Sequence, residues 1–154
     1  MAYTRQEIQE AFDHYREVAK VAGRTGNWAA FVDCFTEDVR YIEHHYGEFH
    51  GRQAVRDWIV PTMQEWPLDQ MQEYPWEWYS IDADQGWVIG QVANVMTDPG
   101  DGQVYKAANW TRLVYAGNGL FSEEEDMYNP AEFAPMVKAW MDAWTRHHPE
   151  GRAG

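Results

Sequence analysis

A long run of alternating apolar and polar residues in the second half of the chain does most to limit its fold. From Trp76 to Met127 the side chains follow a period of two, which is typical of strands with one buried face. Consecutive strands joined by short turns form an antiparallel meander, and a long twisted sheet of this kind must curl. Turns rich in Gly, Asn and Asp divide the run into strands at Trp76–Asp82, Trp87–Thr97, Val104–Tyr115 and Leu120–Met127.

The first half of the chain has helical periodicity instead. Thr4 and Glu7 have the spacing of a capping box, and apolar residues then recur every three or four positions as far as Ala22. The other predicted elements are a short helix after Asn27, a strand at Val39–His45, a loop, a helix at about Arg52–Met63 and a last helix that begins at Asn129.

Helices that precede a meander predict an α+β domain, with the helices packed on one side of the sheet. We expect a cone-shaped fold, in which a curved antiparallel sheet and N-terminal helices enclose a central apolar pocket. One such domain fits residues 1–146, and a frayed tail is expected at 147–154.

The charge of the chain excludes two classes of partner. It has 25 Asp and Glu residues against 12 Lys and Arg residues, which gives a formal net charge of −13. Such a field repels phosphate backbones and anionic lipid headgroups, so neither nucleic acid nor membrane is expected as a partner. The sequence has no apolar run typical of a signal peptide or a transmembrane helix, and Cys34 is its one cysteine. A reducing, cytoplasmic location is therefore expected.

Aromatic residues make up 16% of the chain, with nine Trp and nine Tyr among them. A core of this size does not need so many rings, so we expect some in the pocket wall or in a subunit interface. The predicted sheet leaves one face uncovered, which makes a homodimer the expected assembly.

Two segments carry a resemblance to a known family. Gly26–Ile59 contains a helix, an acidic turn, a strand and the helix start GRQAV, and Val114–Phe133 contains a Gly-rich turn before a last strand. These segments resemble the nuclear transport factor 2-like superfamily, in particular its SnoaL-like and ketosteroid-isomerase-like branches. The resemblance implies a cone-shaped fold with a small-molecule pocket. It leaves the chemistry open, because this superfamily includes isomerases, dehydratases, cyclases, epoxide hydrolases and non-catalytic binding proteins.

The resemblance also implies roles for single residues. Glu43 stands where the isomerases have their carboxylate base, which in them is an aspartate. Tyr15 is the nearest match to the helix tyrosine that donates a hydrogen bond to a substrate oxygen. Asp126 is the nearest match to an acid on the last strand of the epoxide hydrolases, and Thr111 stands where the isomerases have a second acid.

The strand patterns give two of these acids an orientation. Glu43 shares a strand face with Tyr41 and is expected to point toward the helices, where an acid among rings can act as a general base. A solvated or arginine-paired Glu43 is the alternative. In the run SEEED, Glu124, Asp126 and Tyr128 face the pocket if Phe121 faces away from it. The alternative for this run is an acidic sheet edge that discourages aggregation.

One strand has two different faces. Asn109 and Thr111 share one face, and Trp110 and Arg112 share the other. If the polar pair faces inward it can hold a substrate oxygen, and the outer pair then suits a subunit interface. A single bulge would exchange the faces, so the register stays open.

Histidines near Glu43 raise the question of a metal site. His44 and His45 are adjacent, however, and adjacent strand residues point to opposite faces. No HExxH-type pair is present, so neither a metal nor another cofactor is predicted. His45 is expected instead as an acid or base in the pocket.

Together these features predict a cofactor-independent acid–base enzyme that acts on a hydrophobic, ring-containing small molecule. Isomerisation, dehydration or another lyase reaction, cyclisation and epoxide opening all use such parts. The alternative is a non-catalytic domain of the same fold that binds a small molecule or docks a subunit. The expected catalytic residues are Glu43, Tyr15, Asp126 and His45, and the expected substrate contacts are Tyr41, Asn109, Thr111 and Tyr128.

Overall fold

The elements of the fold follow the predicted order. The computed structural model describes residues 2–152. Within this range the helices are α1 (Arg5–Thr25), α2 (Trp28–Val32), α3 (Arg52–Thr62) and α4 (Pro130–His147). The strands are β1 (Phe35–Glu43), β2 (Gly47–His50), β3 (Met71–Glu73), β4 (Trp76–Asp82), β5 (Trp87–Met96), β6 (Lys106–Gly117) and β7 (Leu120–Met127).

The sheet is mixed rather than wholly antiparallel. Its strands are ordered β2-β1-β7-β6-β5-β3, and β4 also pairs with β5. Strands β1 and β7 run parallel, whereas the other described pairs are antiparallel. Register shifts in β1, β4 and β7 bend the strands and help the sheet to curl. The α+β class and the cone-shaped arrangement are confirmed, with the parallel pair as the correction.

Several strand boundaries differ from the prediction. Strand β1 covers Phe35–Glu43 rather than Val39–His45, and β6 begins and ends two residues later than expected. Strand β2 occupies a segment predicted as a loop, and β3 was not predicted. Strand β2 forms because it pairs with β1 and because Phe49 stacks on Trp58 of α3, with ring centroids 4.4 Å apart. Its four residues are too few to show an alternating pattern in the sequence.

Helix α1 begins and ends at recognisable caps. The Thr4 side chain accepts a hydrogen bond from the Glu7 N–H, and Gly26 ends the helix in the left-handed conformation with φ of 79°. Gly23 lies inside the helix rather than ending it. A Cβ atom there would lie 2.4 Å from the Gln72 carbonyl oxygen, so glycine lets α1 approach β3 closely.

The core has a main part beneath α1 and α2 and a smaller part around α4. In the smaller part Trp140 is fully buried, packs with Met71 and Met96, and donates from Nε1 to the Thr97 carbonyl oxygen at 2.6 Å. Helices α1, α2 and α3 therefore cover the sheet, and α4 covers the open end of the cone.

The end of the chain continues the last helix. Helix α4 runs through His147, and the His148 ring stacks on Trp144 at a centroid distance of 4.3 Å. Residues 153 and 154 of the predicted tail lie outside the described residues. Among the helices of residues 2–152, none is long and apolar enough to cross a membrane.

Candidate active site

A cavity of about 530 Å³ lies between the concave face of the sheet and the helices. Its size is within the range of pockets that hold small molecules, and most of its wall is apolar or aromatic. Every site residue predicted from the sequence lines this cavity: Tyr15, Tyr41, Glu43, His45, Asn109, Thr111, Asp126 and Tyr128.

The alternation along β7 places two acids in the cavity wall. Glu124 and Asp126 point inward, while Glu123 and Glu125 point outward and bind cations. The sequence predicted that these acids face the pocket if Phe121 faces away from it, but Phe121 is buried as well. A register shift between Phe121 and Glu123 makes this possible. The bulge thus lets the strand bury both the ring and the two carboxyl groups.

Glu124 is held by two tyrosines that come from distant parts of the chain. Its side chain is almost fully buried, with 3% exposure. The Tyr15 hydroxyl on α1 lies 3.0 and 2.9 Å from the two carboxyl oxygens, and the Tyr41 hydroxyl on β1 lies 2.9 Å from Oε1. Glu124 therefore lies where the first helix, the first strand and the last strand meet.

Asp126 is held by neutral donors from two neighbouring strands. Thr111 donates from its hydroxyl to Oδ1 at 2.6 Å, and the Asn109 amide lies 3.4 Å from the same oxygen. The Tyr41 hydroxyl lies 2.8 Å from Oδ2. Asn94 supports this arrangement by donating to Asn109 Oδ1 at 2.6 Å. The inward register of Asn109 and Thr111, left open by the sequence, is therefore the one present in β6.

Burial gives both acids a strong affinity for protons. Burial raises the pKa of Glu124 well above its usual range, and the nearby charge of Asp126 raises it further. Burial also raises the pKa of Asp126, to about 6, while hydrogen bonds from Thr111 and Tyr41 oppose the increase. The charge of Glu43 contributes to raising it. An acid that titrates near pH 6 is well suited to accept and return protons.

The hydrogen-bond contacts indicate that the two acids share one proton. The Tyr41 hydroxyl contacts both Glu124 Oε1 and Asp126 Oδ2, but it has one proton and donates it fully to only one of them. The second contact is satisfied when a carboxyl group donates to the Tyr41 oxygen. One proton on the pair satisfies both contacts, because one carboxyl group then donates to the Tyr41 oxygen and Tyr41 donates to the other. The deeper burial of Glu124 favours it as the protonated partner.

Glu43 lies in the cavity wall but has a different environment. It is 6% exposed, and its Oε2 accepts hydrogen bonds from the backbone N–H groups of His45 and Tyr46 at 3.0 and 2.6 Å. These bonds close the turn between β1 and β2. Glu43 is also the register partner of Asp126 across the parallel strand pair. Burial and a hydrogen bond to Glu43 raise the pKa of the Tyr128 hydroxyl.

The two histidines next to Glu43 lie on different sides of the sheet. His45 lies in the turn after β1, where its ring is exposed and contacts Tyr46 edge-on. His44 points to the outer face and pairs with Glu125 at 2.9 Å. Within the part of the chain that the structure describes, no three or more His, Cys, Asp or Glu side chains are grouped as a metal site.

Glu124 was not among the predicted site residues. The one signal in the sequence was its position two residues before Asp126, which puts both acids on one face of a strand. The tyrosines that make its burial tolerable are 109 and 83 residues away along the chain, so strand pattern alone does not reveal the pair.

Comparison with known proteins places this site in a familiar fold. A family model described as SnoaL-like domain matches residues 8–123. A candidate polyketide cyclase from Xanthomonas campestris pv. campestris has 21% identity and a TM-score of 0.60, with 86% of this chain and 98% of that chain covered. No curated protein matched the sequence.

Two further solved structures have the same architecture. An epoxide hydrolase from M. tuberculosis, described as LEH-like, has 10% identity and a TM-score of 0.66, covering 92% of this chain and 97% of that chain. A protein of ketosteroid-isomerase-like fold from Catenulispora acidiphila DSM 44928, in complex with trimethylamine, has 16% identity and a TM-score of 0.62. That match covers 80% of this chain and 92% of the other. At these identities the likeness shows the fold alone.

Proposed function

Because this chain belongs to the SnoaL-like domain family, within the nuclear transport factor 2-like superfamily, we propose that it is a cofactor-independent acid–base enzyme acting on a hydrophobic, ring-containing small molecule. One observation carries the proposal. Two inward-facing carboxyl groups, the buried Glu124 and the half-buried Asp126, share the hydroxyl of Tyr41 in the wall of a cavity of about 530 Å³. When the surroundings of two neighbouring titratable groups shift their pKa values apart, one group stays protonated and acts as an acid, while the other is ionised and acts as a base.

Asp126 is the proposed general base. Its side chain is partly accessible and lines the cavity, and with a pKa of about 6 it is mostly ionised at neutral pH. Tyr41, Thr111 and Asn109 fix its position through hydrogen bonds. This assignment differs from the expectation that Glu43 is the base. The turn N–H groups occupy Oε2 of Glu43, so we assign it the role of holding the hairpin and raising the proton affinity of Asp126.

The proposed reaction begins with a proton transfer from a substrate carbon to Asp126. The electron pair left on that carbon is delocalised onto an adjacent carbonyl oxygen of the substrate. Return of this proton from Asp126 to another carbon moves a double bond. Transfer of the proton to a neighbouring hydroxyl, which leaves as water, gives dehydration. Attack of the carbon on an internal carbonyl, whose oxygen takes the proton, closes a ring. Tyr128 is the proposed hydrogen-bond donor to the substrate oxygen, and its hydroxyl must turn from Glu43 to reach it. The Tyr15 proton remains on Glu124, and the apolar wall excludes water.

Epoxide opening is the second candidate reaction. A neutral Glu124 beside an ionised Asp126 gives one wall of the cavity both a proton donor and a base for water. In that reaction Asp126 takes a proton from water, the hydroxide forms a bond to one epoxide carbon, and the opened oxygen receives a proton from the Glu124–Tyr41 chain.

The test is a conversion screen with matched variants. Wild type, Asp126→Asn, Glu43→Gln and the outer-face control Glu125→Gln are incubated with cyclic ketones, hydroxyketones and epoxides, and products are followed by mass spectrometry. We expect Asp126→Asn to lower kcat/KM by about 10²- to 10⁴-fold while ligand binding persists, because a positioned base contributes about that much. Glu125→Gln should retain wild-type rates.

Three outcomes would contradict the proposal or redirect it. Full activity in Asp126→Asn would remove the assigned base, and loss confined to Glu43→Gln would restore the assignment made from the sequence. Binding without conversion in all four proteins would favour the alternative, a domain that sequesters its ligand.

We also propose a homodimer formed through the outer face of the sheet, and a cytoplasmic location. On that face Trp78 and Trp110 are 42% and 54% exposed and pack edge-to-face at 5.4 Å. Exposed Trp residues are enriched in protein interfaces. Size-exclusion chromatography with light scattering should give a dimer for wild type and a monomer for Trp110→Lys. A wild-type monomer at all concentrations would contradict the dimer.

A further inference from the structure

The acids of the cavity have no cationic partner in the protein. Glu43, Glu124 and Asp126 line the cavity, and their donors are hydroxyl, amide and backbone N–H groups. None of the ion pairs within residues 2–152 includes any of the three. Buried carboxylates are normally paired with a cation, so this cavity contains negative charge that a ligand can neutralise.

The cationic side chains that line the cavity do not supply this charge. The Lys138 ammonium binds Asp142 at 2.7 Å on the surface of α4, and its side chain is 77% exposed. The ring of His45 is exposed. With Glu124 neutral, Glu43 and Asp126 still contribute two negative charges at adjacent positions of β1 and β7.

Aromatic side chains line the same cavity as these acids. The wall near Glu43 contains Trp58, whose ring centroid lies 5.2 Å from that of Tyr41 and 5.6 Å from that of Tyr46. Tyr46 donates its backbone N–H to Glu43 Oε2, and the Tyr128 hydroxyl forms a hydrogen bond with the same carboxyl group. Aromatic faces attract cations through their quadrupole, and they do so most strongly where water is excluded.

From this combination we propose that the substrate carries a cationic amine, a tertiary or quaternary ammonium on a hydrophobic body. The ammonium lies against Trp58, Tyr46 and Tyr41, with Glu43 and Asp126 supplying the opposing charge. The inference rests on the proposed function for the location of the site and narrows its substrate class. Carboxylates, phosphates and sulfonates are excluded by the same charges.

The test compares ligands of equal shape and different charge. Binding of (4-hydroxyphenyl)trimethylammonium, its neutral isostere 4-tert-butylphenol and the anion 4-hydroxybenzenesulfonate is measured by isothermal titration calorimetry. We expect the cation to bind at least about tenfold more tightly than the neutral isostere, which corresponds to one desolvated cation–π and carboxylate contact. The anion should show no binding. High salt screens the attraction of a cation to the acidic protein surface as a whole. The tighter binding of the cation than of the neutral isostere should therefore persist in high salt.

Two variants locate the contact. Glu43→Gln should reduce the ratio of cation to neutral affinity, and the matched control Glu125→Gln on the outer face should leave it unchanged. If Glu43→Gln fails to fold, the comparison of the three ligands on wild-type protein still tests the proposal.

The outcomes separate this inference from the proposed function. Equal or tighter binding of 4-tert-butylphenol would overturn the amine assignment, even if a neutral substrate were converted with Asp126 dependence. A cation preference in a protein that converts nothing would support the amine site and contradict the acid–base enzyme.

Discussion

The two faces of β7 contain the same kind of side chain in opposite surroundings. On the outer face, Glu123 and Glu125 both bind Arg112, and the side chains remain 19% and 26% exposed. On the inner face, Glu124 and Asp126 are bound by hydroxyl and amide groups alone. The outer acids are neutralised by cations and water, whereas the inner pair is stabilised by retaining one proton.

This difference shows that chemistry along a single strand is decided by its neighbours and not by residue type. An outer acid of β7 contributes to the surface charge of the protein. The inner acid Asp126, at the position next to Glu125, is placed where a proton can be accepted and returned near neutral pH. The comparison predicts that equal substitutions on the two faces have unequal consequences.

The largest expected difference is in the pH dependence of stability. The pKa of Asp126 is about 6 in the folded protein against 3.8 for an ordinary aspartate, which corresponds to about 3 kcal/mol. Because the folded value is the higher one, this stabilising contribution is present below about pH 4 and is lost as the pH rises through about 6. Glu124 acts in the same direction.

Urea unfolding at several pH values measures this difference. The double variant Glu124→Gln/Asp126→Asn should lose the trend, so that its free energy of unfolding rises relative to wild type between about pH 4 and pH 7. The outer double variant Glu123→Gln/Glu125→Gln should keep the wild-type trend. Parallel pH curves for wild type and the inner double variant would show that the inner acids are ordinary.

A smaller effect is expected when the hydroxyl that joins the inner acids is removed. Tyr41→Phe leaves the ring in place but takes away the contact to Glu124 Oε1 and Asp126 Oδ2. Leaving buried polar groups without a partner costs about 1–3 kcal/mol. Thermal unfolding at neutral pH should show this loss of stability in Tyr41→Phe. Tyr46→Phe serves as the control, because Tyr46 is 47% exposed. Equal stability of Tyr41→Phe and wild type would mean that the hydroxyl does not link the pair.

The smallest effect is expected on the outer face. Glu125→Gln weakens contacts to Arg112 and His44 that are partly exposed, and such ion pairs contribute about 0–1 kcal/mol. Its free energy of unfolding should differ from that of wild type by no more than this amount, and less in high salt. A loss as large as that of Tyr41→Phe would remove the contrast between the faces.

The fold was largely predictable because its signals are local. Strands β4 and β7 have the bounds predicted from alternation and turn residues, and the caps Thr4 and Asn129 begin their helices as expected. Strand β2 was missed because its formation depends on pairing with β1, which is not written in its own four residues.

The site was only partly predictable because its chemistry depends on distant contacts. Alternation placed Asp126 and Tyr41 in the cavity, and all the predicted side chains line it. The pairing of Glu124 with Tyr15 joins residues 109 positions apart, and the turn that binds Glu43 forms only with β2. Sequence pattern gives the direction of a side chain, but not the partners that set its protonation.

The protonation of the inner acids is measured most directly by carbon-13 NMR of the carboxyl groups. Protein labelled at Asp Cγ and Glu Cδ is titrated, and Asp126→Asn and Glu124→Gln assign the two inner signals. We predict that the Asp126 signal titrates near pH 6 and that the Glu124 signal titrates well above the range of an ordinary glutamate. If both inner carboxyl groups lost their protons below about pH 5, as unperturbed acids do, the shared proton would not exist.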